Sequence, residues 1–212
     1  MLIKSSAIYL VSSVINKGLP FLLLPILTKY LTPEEYGMVA IFQLSITVFY
    51  AFIGMGSSIN IDKNFHRYNK KEVSNMLTNI ILLVTASLLT ICILTFIFLS
   101  QLSSLLNIDQ NWIMMLPVIG FMLMVNTINL SILRNQNKPV KYGILEISNT
   151  SINVLVTLIM LMIYNSGWES QAFGIVTAYF VFFCIGMLFL MRRNYLSGSF
   201  SLIESKKIIK TS

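Results

Sequence analysis

Charge is what this sequence has least of. Asp, Glu, Lys and Arg together make up 11% of its 212 residues, where a soluble domain carries about 25%. So few ionisable groups cannot cover a water-facing surface, so much of the surface must face lipid. Cysteine is scarce too: Cys92 and Cys184 each sit inside an apolar run without the spacing of a metal or redox motif, and read as small apolar fillers. His66 is the sole histidine, which excludes a His-based metal centre. There is no Ser/His/Asp or Cys/His set, no phosphate-cradling glycine loop and no metal-ligand spacing. The sequence therefore predicts no catalytic residue, no metal and no cofactor, and an enzyme is not expected. Asp62, Asp109 and Glu169 fall in loops with no obvious partner at useful spacing.

What is present is apolar. Hydrophobic residues make up 56% of the chain, and the mean hydropathy is +0.77. Six segments reach the roughly 20 residues that a helix needs to cross a hydrocarbon core: residues 7–31, 38–59, 77–99, 112–133, 143–164 and 172–191. None alternates apolar and polar residues over its length, so helices rather than barrel strands are predicted. The first is too long for a cleaved signal, contains Lys17 and Pro20, and lacks a small-residue cleavage site. The fold class expected is all-α, a polytopic membrane protein of six transmembrane helices. Residues 1–193 would form the helical unit and 194–212 a tail.

The net charge of +7 has to be read by position, and does not point to nucleic acid. Lys4, then Lys63, Arg67, Lys70 and Lys71, then Arg134, Lys138 and Lys141, then Arg192, Arg193, Lys206, Lys207 and Lys210 fall on one side of the six spans. Lys29 is the only base in a connection on the other side. This asymmetry predicts an inner-membrane protein with both ends cytoplasmic. All the connections are short, leaving no room for an extramembrane catalytic domain.

Polar residues recurring every three or four positions mark a helix face turned from lipid. Span five carries Tyr142, Glu146, Asn149, Asn153 and Thr157 on such a stripe. Span two has Gln43, Thr47, Tyr50, Gly54 and Ser57. Span one has Ser13, Lys17, Pro20, Leu24 and Thr28, with Asn16 alongside. Span four offers Asn126 and Asn129, with Thr127, Ser131 and Arg134 on a neighbouring face. Spans one, two, four and five are thus expected to surround a polar interior, with three and six peripheral. Lys17 and Glu146 are ionisable groups within spans, where a charge facing lipid costs at least about 2.5–3.5 kcal/mol. A cavity for an anion or ions, a Lys17–Glu146 pair, and snorkelling of Glu146 to the nearby interface all fit. The depth of Lys17 favours the cavity, and for Glu146 the readings balance. Pro20 and Pro25 each remove a backbone donor within span one, making it either a bending element or a static kink. Gly54 and Gly56 suit close helix approach.

The run Asn16-Lys17-Gly18-Leu19-Pro20, followed by Leu24-Pro25-Ile26-Leu27-Thr28-Lys29-Tyr30-Leu31-Thr32-Pro33-Glu34-Glu35-Tyr36-Gly37, resembles the opening of polysaccharide-transporter flippases. These form the O-antigen and capsule branch of the multidrug/oligosaccharidyl-lipid/polysaccharide exporter superfamily. Gly54-x-Gly56-Ser57-Ser58-Ile59, Leu133-Arg134-Asn135-Gln136-Asn137-Lys138 and Tyr142-Gly143 resemble later family motifs in the same order. The resemblance implies one six-helix lobe of a transporter for a polyprenyl-pyrophosphate-linked oligosaccharide, turned from the cytoplasmic to the periplasmic leaflet. It places Lys17 at a cationic site on the first helix, and Arg134 at the basic end of the fourth. Asn16, Gln43, Asn126, Asn129, Glu146, Asn149 and Asn153 would line the path. Asn and Gln suit sugar hydroxyls, and cations suit pyrophosphate. Such transporters carry two lobes, and Glu204-Ser205-Lys206-Lys207-Ile208-Ile209-Lys210 resembles the inter-lobe linker, so the expected partners are lipid, the lipid-linked oligosaccharide and a second six-helix lobe. A drug or cation antiporter of the same superfamily, or an inactive or scaffolding membrane remnant, are the alternatives.

Overall fold

A computed structural model describes residues 2–198, with side chains described from Ala7 onward; Lys206, Lys207, Lys210 and most of the expected tail lie outside the described residues. The chain runs α1 (Leu2–Tyr30), α2 (Pro33–Gly54), α3 (Ser57–Asn64), α4 (Lys70–Ile97), α5 (Leu99–Leu106), α6 (Gln110–Asn135), α7 (Pro139–Ile163) and α8 (Glu169–Arg192). Six of these are long and apolar enough to cross a membrane: α1, α2, α4, α6, α7 and α8. They correspond one for one to the predicted spans, and the protein is an all-α polytopic membrane protein.

The chain writes its helix ends in local chemistry. Thr32 and Asn69 open α2 and α4 with reciprocal caps. The Glu35 amide donates to Thr32 Oγ1 at 3.2 Å while the Thr32 amide donates to Glu35 Oε2 at 2.9 Å, and Glu72 does the same for Asn69. Asp109 opens α6 by accepting from the Asn111 amide at 2.8 Å. At the other ends, Asn107, Asn137, Asn165 and Asn194 take positive φ just beyond α5, α6, α7 and α8. Asparagine tolerates the left-handed conformation that ends a helix better than most side chains do. The second span was expected to run to residue 59. It stops at Gly54, because Met55 and Gly56 both turn left-handed and restart the chain as α3.

Contacts between helices sort the ends of the bundle. The end of α6 meets α3 through Arg134 and Asp62, the start of α4 meets the end of α8 through Ser74 and the Asn194 carbonyl, and the start of α1 meets that of α7 through Tyr9 and Tyr142. These lie at one end, with Lys63, Lys70, Lys138 and Arg192; we call it the basic end. At the opposite end Trp112 Nε1 donates to Glu169 Oε1 at 3.0 Å, inside a cluster of Phe42, Trp168 and Phe173 rings. Residues 194–198 fold back on α4, where the Gly198 amide donates to Thr78 Oγ1 at 3.1 Å.

α6 is the central helix: 56% of its most apolar window is buried inside the protein, against a third or less for the others. On one side α2, α3 and α4 pack on it around Ile53, Ile61, Leu77, Ile80, Met124, Ile128 and Ile132. On the other, α1 packs on α7 and α7 on α8, and this trio joins the rest mainly where α8 meets α6. α1 and α2 barely touch despite being consecutive. Span six is therefore not peripheral as expected. Gly174, Ala178, Phe182, Gly186 and Leu190 recur every four residues on α8 and are all buried. Small residues at that spacing let helix backbones approach where lipid supplies no hydrophobic drive. A polar stripe is not needed.

Candidate functional site

Between the two helix groups, at the basic end, lies a cleft of about 490 Å³. α8 contributes Tyr179, Phe182, Ile185, Gly186, Phe189 and Arg193. α6 contributes Leu123, Asn126, Thr127, Asn129, Leu130 and Leu133, α7 contributes Lys141, Ile144, Leu145, Glu146, Asn149 and Thr150, and among the described residues of α1 Asn16 reaches it. Most of the wall is apolar, and the polar groups form a small set.

Asn129 is 4% exposed, and Gly186 on α8 has no Cβ where its amide sits. Its Nδ2 donates to the Val125 carbonyl at 2.8 Å, while Oδ1 has no partner. Asn126, one turn earlier, reaches the Tyr179 carbonyl at 3.4 Å. On α7 Glu146 Oε1 accepts a long bond from the Tyr142 hydroxyl at 3.4 Å, and its buried Oε2 has no partner. Thr150 donates to Asn16 Oδ1, tying α1 to α7. Asn149 also lines the cleft. A buried acceptor left unpaired costs about 1–3 kcal/mol, and two such atoms, Asn129 Oδ1 and Glu146 Oε2, belong to residues that line the cleft.

The structure brings together Asn16, Asn126, Asn129, Glu146 and Asn149, and leaves the other expected site residues elsewhere. Lys17 follows Asn16, and one residue of helix turns the side chain by about 100°; it is exposed and lies outside the cleft. It makes no pair with Glu146, since the ion pair found among the described residues is Arg134–Asp62. Gln43 is exposed on α2, also away from the cleft. Asn153 lies against α8 at Gly174, its Oδ1 accepting from Thr157 at 3.3 Å. Arg134 bonds Asp62 at 2.6 Å and Ser131 at 3.4 Å, and Asn135 bonds the second Asp62 oxygen at 2.7 Å. Asp62, Asp109 and Glu169, expected to lack partners, thus hold α6, cap α6 and bind Trp112. Pro20 and Pro25 lie on the exposed face of an unbroken α1. Pro20 frees the Asn16 carbonyl from its helical bond.

Sequence reasoning missed Lys141 and Arg193 at the mouth of the cleft, and all of α8's lining. Arg193 lies beside Tyr195, whose phenol burial pushes up while the guanidinium and a bond from Gln136 pull the other way.

This arrangement of helices and cleft has close counterparts. A family model described as polysaccharide biosynthesis protein matches residues 2–212. The chain belongs to that family. An uncharacterized membrane protein of Haemophilus influenzae is 29% identical over 170 residues, covering 78% of this chain and 38% of that protein. The Lsg locus putative protein 1 of the same organism is 25% identical over 170 residues, with 77% and 38% covered. Among solved structures, a mutant MATE protein superposes with a TM-score of 0.73 at 18% identity, covering 98% of this chain and 51% of its own. An outward-facing multidrug resistance MATE transporter of the MOP superfamily gives 0.71 at 19%, with 98% and 50% covered. A MOP superfamily transporter from Pyrococcus furiosus gives 0.70 at 19%, also with 98% and 50% covered. The polysaccharide biosynthesis chain thus has the fold of one half of these transporters, and spans about two-fifths of the curated relatives it matches.

Proposed function

We propose that this chain forms one lobe of a flippase that turns polyprenyl-pyrophosphate-linked oligosaccharide units from the cytoplasmic to the periplasmic leaflet of the inner membrane, for O-antigen or capsule assembly. The observation that carries the reading is the cleft: apolar walls around unpaired amide and carboxylate acceptors, within a family tied to polysaccharide biosynthesis. Asn16, Asn126, Asn129, Asn149 and Glu146 would meet sugar hydroxyls, which both donate and accept. On this reading the basic end, with its wealth of lysine and arginine, is the cytoplasmic end, and both termini would be cytoplasmic. Lys17 and Gln43, outside the cleft on α1 and α2, face a second six-helix lobe across the translocation path. That lobe is supported by solved relatives of twice the length. Lys17 supplies charge to the pyrophosphate in a low-dielectric space, Arg134 guards its cytoplasmic end, and α1 bends at Pro20 and Pro25 as the lobes rock. Asn153 holds α7 to α8 beside the path.

The test is export of surface polysaccharide from cells carrying the complete two-lobe transporter. Lys17→Ala should abolish export while insertion into the membrane stays normal, and Lys17→Arg should keep part of it. Normal export by Lys17→Ala would refute the assignment of pyrophosphate to that residue.

A further inference from the structure

The mouth of the cleft carries two cations that the polar acceptors within do not explain. Lys141 projects from the first turn of α7 and Arg193 from the end of α8, and both line the cleft. Both are exposed, and neither side chain has an ion-pair or hydrogen-bond partner among the described residues. Arg193 is not needed to satisfy the end of its own helix. The α8 carbonyls of Phe189, Leu190 and Met191 already accept from the amides of Arg193, Tyr195 and Asn194. α7 begins without a side-chain cap at Lys138, so its positive end is open beside Lys141. Farther in, Asn129 Oδ1, on a residue more than nine-tenths buried, and Glu146 Oε2 stay unpartnered. Ile144 and Ile185 form an apolar lip, both exposed where lipid would lie.

We propose that Lys141 and Arg193 bind the phosphate of a long-chain membrane amphiphile whose hydroxylated headgroup points inward and whose chain leaves over the lip into the bilayer. The order of groups dictates that chemistry. Cations at the interface call for an anion, unpaired acceptors one to two helical turns deeper call for hydroxyl donors, and the apolar lip calls for hydrocarbon. A free anion would leave the lip and the inner acceptors unused. Glu146 would repel a phosphate driven deeper, which keeps the anion at the mouth. The site deepens the transport reading and rests on it for the identity of the headgroup. It assigns the phosphate, on loading, to residues of α7 and α8 rather than to Lys17.

Photolabelling of the full chain in phosphatidylcholine nanodiscs, with an alkyl phosphate carrying a diazirine near its phosphate, reads this site directly. Label is expected on peptides covering 139–150 and 182–193. Dodecyl phosphate should compete, while dodecanol and inorganic pyrophosphate should not. Lys141→Gln with Arg193→Gln should lower labelling at least about tenfold, each base near the surface contributing to anion attraction. Ile185→Trp, which fills the cleft and keeps the charges, should also block it, and circular dichroism confirms that each variant is folded. Lys70→Gln with Lys71→Gln, which removes two charges from the same end away from the cleft, should not change labelling. Undiminished labelling in the Lys141/Arg193 double variant, label confined to α1 and α2, or equal competition by pyrophosphate would each overturn the proposal. Lost labelling with export intact would remove this site alone. Intact labelling on a transporter that exports no polysaccharide would remove the transport reading and leave the site.

Discussion

Gly174 is where the closest pair of helices would be forced apart by a single methyl group. A Cβ added there would sit 2.6 Å from the Asn153 carbonyl oxygen and 2.7 Å from Asn153 Oδ1, and against the Thr157 hydroxyl. The two side chains can rotate away, but the carbonyl is fixed in the α7 backbone. An ordinary carbon–oxygen contact is about 3.3 Å or more, so α8 must withdraw from α7 by roughly 0.7 Å along that direction. Overpacking of this kind costs about 1–3 kcal/mol. For a chain of this size that corresponds to a midpoint lowered by about 3–10 °C, read as loss of monodisperse protein on heating in detergent. Gly18→Ala is the matched control: a Cβ at Gly18 meets nothing within 4 Å, and alanine is the better helix former. It should melt at or slightly above the parent. If Gly174→Ala melts with the parent while Gly18→Ala does too, α7 and α8 are not held at this distance and the account of α8 as an inner helix is wrong.

Trp112→Phe keeps an aromatic ring against Phe42 and Phe173 but removes the bond to Glu169; a loss of about 1–2 kcal/mol is expected, seen as a lower melting midpoint. No change would mean that this bond is matched by water in the parent. Reporter fusions after Asp109 and after Lys210 should give periplasmic and cytoplasmic signals respectively. A cytoplasmic signal at Asp109, or a periplasmic one at Lys210, would overturn the orientation argued from the basic residues.

The six long helices were legible because scarce charge and long apolar runs leave few alternatives; the caps at Thr32, Asn69 and Asp109 were passed over, although their chemistry is local. The positions of those helices relative to one another were less so. The stripe on α7 was correctly seen as one face, yet it divides between two neighbours. Glu146 and Asn149 reach the cleft, while Asn153 and Thr157 are spent on packing against α8. The stripe on α2 does not converge with the others at all, and Gln43 stays outside. α8 was placed at the rim because its inner face is glycine, alanine and large apolar residues, which a search for polar residues passes over. The Arg134–Asp62 pair joins positions 72 apart in sequence, and no spacing rule reaches that far. α3 and α5, eight residues each, are too short for a periodicity to declare them.

The near-absence of contact between α1 and α2 has a consequence for how the protein is made. α1 leaves the ribosome well before the helix it packs on, α7, which begins only at Pro139. At about 5–20 residues per second, on the order of ten seconds pass before that partner exists. Meanwhile α1 must keep Asn16, Lys17 and two prolines at membrane depth with little neighbouring protein to satisfy them. α1 thus finds its place long after it is made, and its passage into the bilayer depends on whatever shelters it during the wait.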